Sequence, residues 1–481
     1  MHKPRSLLIG NGFDVQLGGD DYLNKWIIVR MLAKAKMGKY DILFTKKGEK
    51  APLITGDEII TLLNNLIKFA NDIREDIYDD AVAEYGDKEL KETLQDFKNY
   101  HDVPITSIEE IGMENWFMIF LIYLLTQKDI LYQYELVKQG FERMICDAIF
   151  CEGNIQSLHR HINKNAKSFL IEHDNIFTLN YGNEIERATG KTVFHLHGDF
   201  SSNHPSEDER NAIGFLRIQK GENIDLPLEF QHCNNTAILD FSGNKKYRYA
   251  TSMTKAHCEF ERIKLMAHEN QENYIQFLDK IPPEHQEIVK AGVENDLSLG
   301  VDYYFEKLEN LTGKLEIIGI APQNDNHIFE CINKSDIEQV VFYAFFNNAN
   351  KQEIQERISK MSLPLNKPYV IKNVQDVWRD LRQSKPHNLQ MSLSDKQVQC
   401  VNAICPTKIE KQTLIDQLNN LPKTTKKVII QMMKNEILKE EYRRKPENEK
   451  ELFKHFIKFG KTLEVSSLSP QALFVLYLSS K

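Results

Sequence analysis

Ser6-Leu7-Leu8-Ile9 is a short apolar run that breaks at once into Gly10-Asn11-Gly12, and the residues after it can enter a helix. A strand buried on both faces and turning sharply at its carboxyl end reads this way, with glycine where the backbone must bend tightly. The pattern recurs. Asn175 to Leu179 ends at Asn180-Tyr181-Gly182, Thr192 to Leu196 ends at His197-Gly198-Asp199, and Leu315 to Ile320 opens into Ala321-Pro322. Val340 to Phe345 and Tyr369 to Ile371 are two more such runs, and helical periodicity follows most of them. Strands alternating with helices predict an α/β chain: a Rossmann-like, mostly parallel sheet covered on both faces.

Between the first strand and the second lies a long stretch of helical pattern, so a helical insertion is expected over about 20-170. Within it, Ile59-Ile60-Leu63-Ile67 forms one stripe and Trp116 to Leu125 is apolar all round, as suits the centre of a helical layer. That run is too short for the roughly 20 apolar residues a bilayer span needs, so no membrane partner is expected. Residues 1-381 read as the α/β domain, 384–393 as a linker, and 384-481 as a C-terminal all-helical regulatory or oligomerisation domain. A helical stretch is also expected from about Thr254 to Leu311, after a polar, irregular segment over 201–250. The net charge of −8 gives no general nucleic-acid coat, and seven scattered cysteines suit reduced thiols in a cytoplasmic protein. A basic cluster from Lys423 to Lys445 leaves nucleic-acid binding open for the C-terminal helices, although a solvated face is the commoner explanation.

In open parallel sheets ligands bind beyond the carboxyl ends of the strands. Gly10 to Asp14, Asn180, His197 and Asp325 each follow at or soon after such an end, which is what a nucleotide cleft requires. Other chemistries fail on spacing. The third glycine of the dinucleotide fingerprint is replaced by Val15, and Gly190-Lys191-Thr192 lacks the earlier glycine of a P-loop and precedes a strand. His232-Cys233, His257-Cys258, and Cys400 with Cys405 do not have the spacing of zinc ligands, so no metal is expected. His195, two residues before His197, shares its face of the strand but sits deeper, in the core or behind the site.

Taken together, Leu8-Ile9-Gly10-Asn11-Gly12-Phe13-Asp14, Thr178-Leu179-Asn180-Tyr181, His195-Leu196-His197-Gly198-Asp199, and Ile317-Ile318-Gly319-Ile320 with Asp325 and Ile328 resemble the sirtuin-like superfamily. More specifically they resemble the bacterial abortive-infection family AbiH, in order and spacing over residues 1–381. The resemblance implies an NAD cleft and, by analogy with defence-associated relatives, hydrolysis of NAD+ to nicotinamide and ADP-ribose when an infection is sensed. It would place Gly10 and Gly12 near the pyrophosphate, with Asn11, Phe13, Asp14, Tyr181, Gly319 and Asp325 also at the cofactor. Asn180 would hold a water or ribose hydroxyl, and His197 would act as general base. The chain lacks the Cys-x-x-Cys zinc ribbon of sirtuin deacylases, which argues against acyl-lysine removal. The expected partners are other copies of the chain in a homo-oligomer and a phage-derived or partner-protein trigger. The rival expectations are a nucleotide-binding sensor without hydrolysis, and a nucleic-acid-binding protein acting through its basic C-terminal helices.

Overall fold

A computed structural model of the chain describes residues 3–126, 134–200, 226–296, 301–322, 325–346, 350–386, 421–425 and 428. The chain divides into two units, one of residues 1–17 and 156–384, the other of 18–155 and 385–481. The insertion thus groups with the segment after residue 384. Most of the expected C-terminal helices, including the bulk of the basic cluster and Cys400 and Cys405, lie outside the described residues.

The first unit is built on six strands: β1 (Arg5–Ile9), β2 (Asn175–Thr178), β3 (Phe194–His195), β4 (Thr312–Ile318), β5 (Asp336–Ala344) and β6 (Tyr369–Asn373). All pairings are parallel, in the order β3-β2-β1-β4-β5-β6. The α/β, Rossmann-like expectation holds at this level. In this order the chain works outward from β1 in one direction and then, from β4, in the other. The β1–β4 junction is therefore the switch point, where two neighbouring strands send their following chain to opposite sides and leave a crevice.

The strands form where the sequence is apolar on both faces. Leu7, Leu8 and Ile9 of β1, Phe177 of β2 and Leu315, Ile317 and Ile318 of β4 are fully buried. The helix Asn326–Lys334 lays Ile328, Phe329 and Ile332 against this core. Polar interruptions are paired. Glu316, in the middle of β4, is 2% exposed and accepts from Arg5 at 3.0 Å, Lys314 at 2.9 Å and the Tyr343 hydroxyl at 2.8 Å. Burial opposes its charge, but these donors together with His173 hold its carboxyl far below the usual range.

At the switch point the backbones after β1 and β4 touch. Gly10 N–H donates to Ile318 O at 2.9 Å and Gly12 N–H to Gly319 O at 3.0 Å. A Cβ on Gly12 would sit 2.7 Å from the Gly319 Cα, and Gly319 itself has φ +77°, a left-handed conformation that side chains rarely adopt. Glycine at these positions is required by the close packing of chain on chain.

The second unit is helical among its described residues, with helices Asn24–Lys36, Gly56–Arg74, Met113–Leu125 and Tyr134–Phe150 among others. Thr55 and Glu58 close a capping box at the start of the Gly56–Arg74 helix, and Trp116 is completely buried in the Met113–Leu125 helix. Asp21 is its buried anchor. Its carboxylate accepts from the backbone N–H groups of Thr424 at 2.7 Å and Thr425 at 2.8 Å, while Arg30 donates to it at 3.3 Å and to Ala148 O at 2.9 Å. No helix among the described residues is long and apolar enough to cross a membrane.

One boundary moves. The helix expected from Thr254 begins at Gly243 and runs to Glu269. Its first turn carries Lys245 and Lys246 and no acid, against the helix dipole, so its start is hidden in the sequence.

Replacing Gly12 with Ala is expected to lower stability by about 1–3 kcal/mol, because its Cβ meets backbone that cannot swing aside. Urea unfolding of the full chain measures this. Wild-type stability in Gly12→Ala would show that the crossing is loose.

Candidate functional site

The site is assembled at the carboxyl ends of β1, β2 and β3. Asn180 follows β2 and is held from three directions. Its N–H donates to Thr178 Oγ1 at 3.0 Å, its Nδ2 donates to Asp14 Oδ1 at 2.9 Å, and its carbonyl oxygen faces His195 Nδ1 at 3.1 Å. The amide of Asn180 is thereby oriented, and its Oδ1 accepts from none of the described residues.

His195 makes a second contact through Nε2 to Glu186 Oε1 at 2.6 Å. Burial opposes a charge on its ring, but Glu186, with Asp199 and Glu184 nearby, outweighs this and raises its pKa. Acceptor oxygens face both ring nitrogens, so the protonated ring donates on both sides and fixes the main chain at Asn180.

Asp14 does not stand as a bare carboxylate facing a phosphate. It is 3% exposed, in the helix Asn11–Gly18, and its side chain is hydrogen-bonded to Glu184 as well as Asn180. Glu184 has no exposed surface, and its carboxyl is met by its own backbone N–H and by the Asp14 side chain. Two adjoining buried acids cannot both ionise cheaply, so the pair favours keeping a proton. Burial pushes the Asp14 carboxyl up to about 7, against the opposing effect of its hydrogen bonds, and burial together with the charge of Asp14 raises Glu184 well above the carboxylate range.

His197 follows β3 and is 4% exposed. Gly198 beside it has φ +80°, and a Cβ there would lie 2.0 Å from Thr236 O, because the chain over 236–238 runs alongside and Ile238 N–H donates to His197 O at 2.9 Å. The His197 Nε2 meets Nε2 of His327, on the helix Asn326–Lys334, at 3.0 Å. Their rings are near coplanar, 21° apart, with centres separated by 5.3 Å. That is the separation of two rings meeting head-on through those nitrogens. Burial and the Lys246 charge drive both pKa values down, that of His327 to about 3, so both rings are neutral.

His197, His327 and Asp325 offer donor atoms that all lie within 4.8 Å of one another. Two imidazoles sharing one tetrahedral ion at about 2.1 Å would hold their nitrogens roughly 3.4 Å apart, farther than the 3.0 Å between His197 and His327. The observed alignment is that of an N–H···N hydrogen bond, and the buried positive charge of Lys246 opposes a cation. Neither His232-Cys233 nor His257-Cys258 belongs to a cluster of metal-type donors among the described residues.

The remaining expected residues divide. Asn11 is exposed on the turn, and Tyr181 is half-buried, donating through its hydroxyl to Ile238 O at 3.1 Å. Asp325 is half-buried beside the histidine pair. Phe13 is buried and packs its ring 5.7 Å from Trp378, a core contact. The Gly10, Gly12 and Phe13 amides already donate to backbone carbonyls. His327 and Glu184 were not anticipated. The sequence signals were slight: His327 stands between the two residues singled out at 325 and 328, and Glu184 reads as an ordinary acid in a helix's first turn.

Compared with known proteins, the chain matches no family model, no curated sequence and no solved structure.

The acid pair makes a pH prediction. Between about pH 4 and 7 folded Asp14 keeps a proton that the unfolded chain has released, so stability falls as pH rises through that window. Asp14→Asn preserves the contacts and does not titrate, so its stability relative to wild type should rise between pH 5 and pH 8, by an amount on the order of a few kcal/mol. Thermal melts of both proteins across this range measure it; a flat difference would mean that Asp14 ionises normally.

Proposed function

We propose that this chain is an NAD+ hydrolase, an antiphage effector of the AbiH type that cleaves NAD+ to nicotinamide and ADP-ribose. The observation that carries the reading is Asn180, oriented beyond the end of β2 with an Oδ1 that accepts from none of the described residues, next to His197 beyond the end of the neighbouring β3. Nicotinamide leaves a cationic precursor as a neutral ring, so the reaction needs an oriented acceptor and a base more than a strong acid. Asn180 Oδ1 would hold the attacking water or a ribose hydroxyl, and His197, neutral at cellular pH, would take its proton. A proton kept by Asp14 and Glu184 removes one negative charge from beneath a bound pyrophosphate, which supports an anionic ligand here.

Unregulated hydrolysis would kill the host, so the resting protein is inhibited and a phage component or assembly into an oligomer releases it. NAD+ consumption by the purified chain, with and without phage lysate, tests the reading. Asn180→Ala and His197→Ala are each expected to lose at least about 100-fold in turnover while NAD+ binding, measured by calorimetry, is largely kept. Binding without consumption in every condition would assign the cleft to nucleotide sensing.

A further inference from the structure

The histidine facing His197 has no role in that mechanism, yet its position constrains the mechanism strongly. His327 is 1% exposed, and its Nδ1 is buried with no hydrogen-bond partner among the described residues. Its Nε2 meets the His197 Nε2 at 3.0 Å, and the two rings are aligned head-on. Exactly one hydrogen lies between those nitrogens, and the two ways of placing it differ. If His197 donated, His327 would carry its own hydrogen on Nδ1, as a buried N–H with no acceptor. If His327 donates, its Nδ1 is a bare lone pair. A buried orphan N–H is the rarer and costlier defect, and an acceptor with an unused lone pair is better tolerated.

We infer that His327 is the donor, and that it is a positioning residue that closes His197. Its Nε2–H occupies the His197 Nε2 lone pair and leaves the hydrogen of His197 on Nδ1. In this state His197 has no nitrogen able to take a proton: one is already bonded and the other is engaged as an acceptor. When the His327 ring swings aside, the Nε2 lone pair is released. A water O–H proton then passes to it, giving imidazolium and leaving hydroxide to attack. The described conformation is the resting state of the base, and repacking of the helix Asn326–Lys334 is the movement that opens it. The groups facing the pair are Lys246, from the helix Gly243–Glu269, and Asp325, at the start of the His327 helix. The lysine charge and burial keep both rings neutral, so the contact is an imidazole–imidazole hydrogen bond across the neutral pH range. The assignment of the hydrogen rests on geometry alone; the lock on turnover rests on the hydrolase reading above.

Long-range proton–nitrogen spectra of the full-length chain labelled with 15N-histidine test the assignment directly. His197 is expected to show a protonated Nδ1 and bare Nε2, and His327 the reverse, with neither ring titrating between pH 6 and 8. Signals are assigned by their loss in His197→Ala and His327→Phe. A protonated Nε2 on His197 would overturn the proposal, as would a visible cobalt(II) d–d band that disappears in His327→Phe, since the two Nε2 atoms would then face a metal. Turnover is the second readout. His327→Phe and His327→Gln should consume NAD+ without any trigger at least tenfold faster than wild type. A fall towards the His197→Ala rate in both, with the expected tautomers, would make His327 an aid to catalysis and sink the lock. If no variant consumes NAD+ even with lysate, the hydrolase reading fails, and the nitrogen spectra still decide the tautomer.

Discussion

At the junction of β1 and β4 two turns of backbone lie so close that no side chain fits between them. Gly12 and Gly319 have to be glycines for the chain to close there, and the Gly12 N–H to Gly319 O bond fastens the contact. Since β1 is central, flanked by β2 and β4, this single crossing fixes where the sheet parts into its two halves. It also fixes where the helix Asn11–Gly18 starts, and so where Asp14 stands. Asp14 in turn aims Asn180. The site's orientation therefore descends, through three residues, from a steric requirement in the backbone.

What surrounds that crossing is polar but nearly uncharged toward the crevice. Burial favours the protonated forms of Asp14 and Glu184 and the neutral forms of His197 and His327, and Asn180 is a neutral amide. The strong charges stand behind: His195 with Glu186 beneath Asn180, and Lys246 buried beside the histidines. In a low-dielectric setting this arrangement keeps Coulomb energy modest while letting small movements of a proton change which atoms donate and which accept.

The six strands were legible because strands buried on both faces are short, continuous apolar runs, and the turns after them carry glycine, asparagine or histidine. Asn180 and His197 were legible for the same reason, since they mark strand ends. Their partners were not. Asp14 and Asn180 are 166 residues apart and His197 and His327 are 130 apart, and nothing local in either stretch says that they meet. Glu184 reads as an acid answering a helix dipole, and only the fold shows it without exposed surface. The start of the helix at Gly243 was illegible because its first turn has the charge that a helix start normally avoids. Phe13 and the Gly10 and Gly12 amides read as ligand contacts because the motif suggests them, whereas packing and backbone pairing already engage them.

The insertion has a consequence for how the protein is made. β1 is synthesised first, yet 169 residues separate Ser6 from its β2 neighbour Asn175, and 311 separate Arg5 from Glu316 on β4. At about 5–20 residues per second, a nascent chain carries β1, with its apolar Leu7, Leu8 and Ile9, for roughly 15–60 seconds before its second neighbour leaves the ribosome. During that interval the helix–helix contacts within the insertion are free to form, although its Asp21 anchor waits for Thr424 and Thr425. Late closure of the sheet is thus written into the chain order, and the crevice between β1 and β4 is among the last features of the molecule to exist.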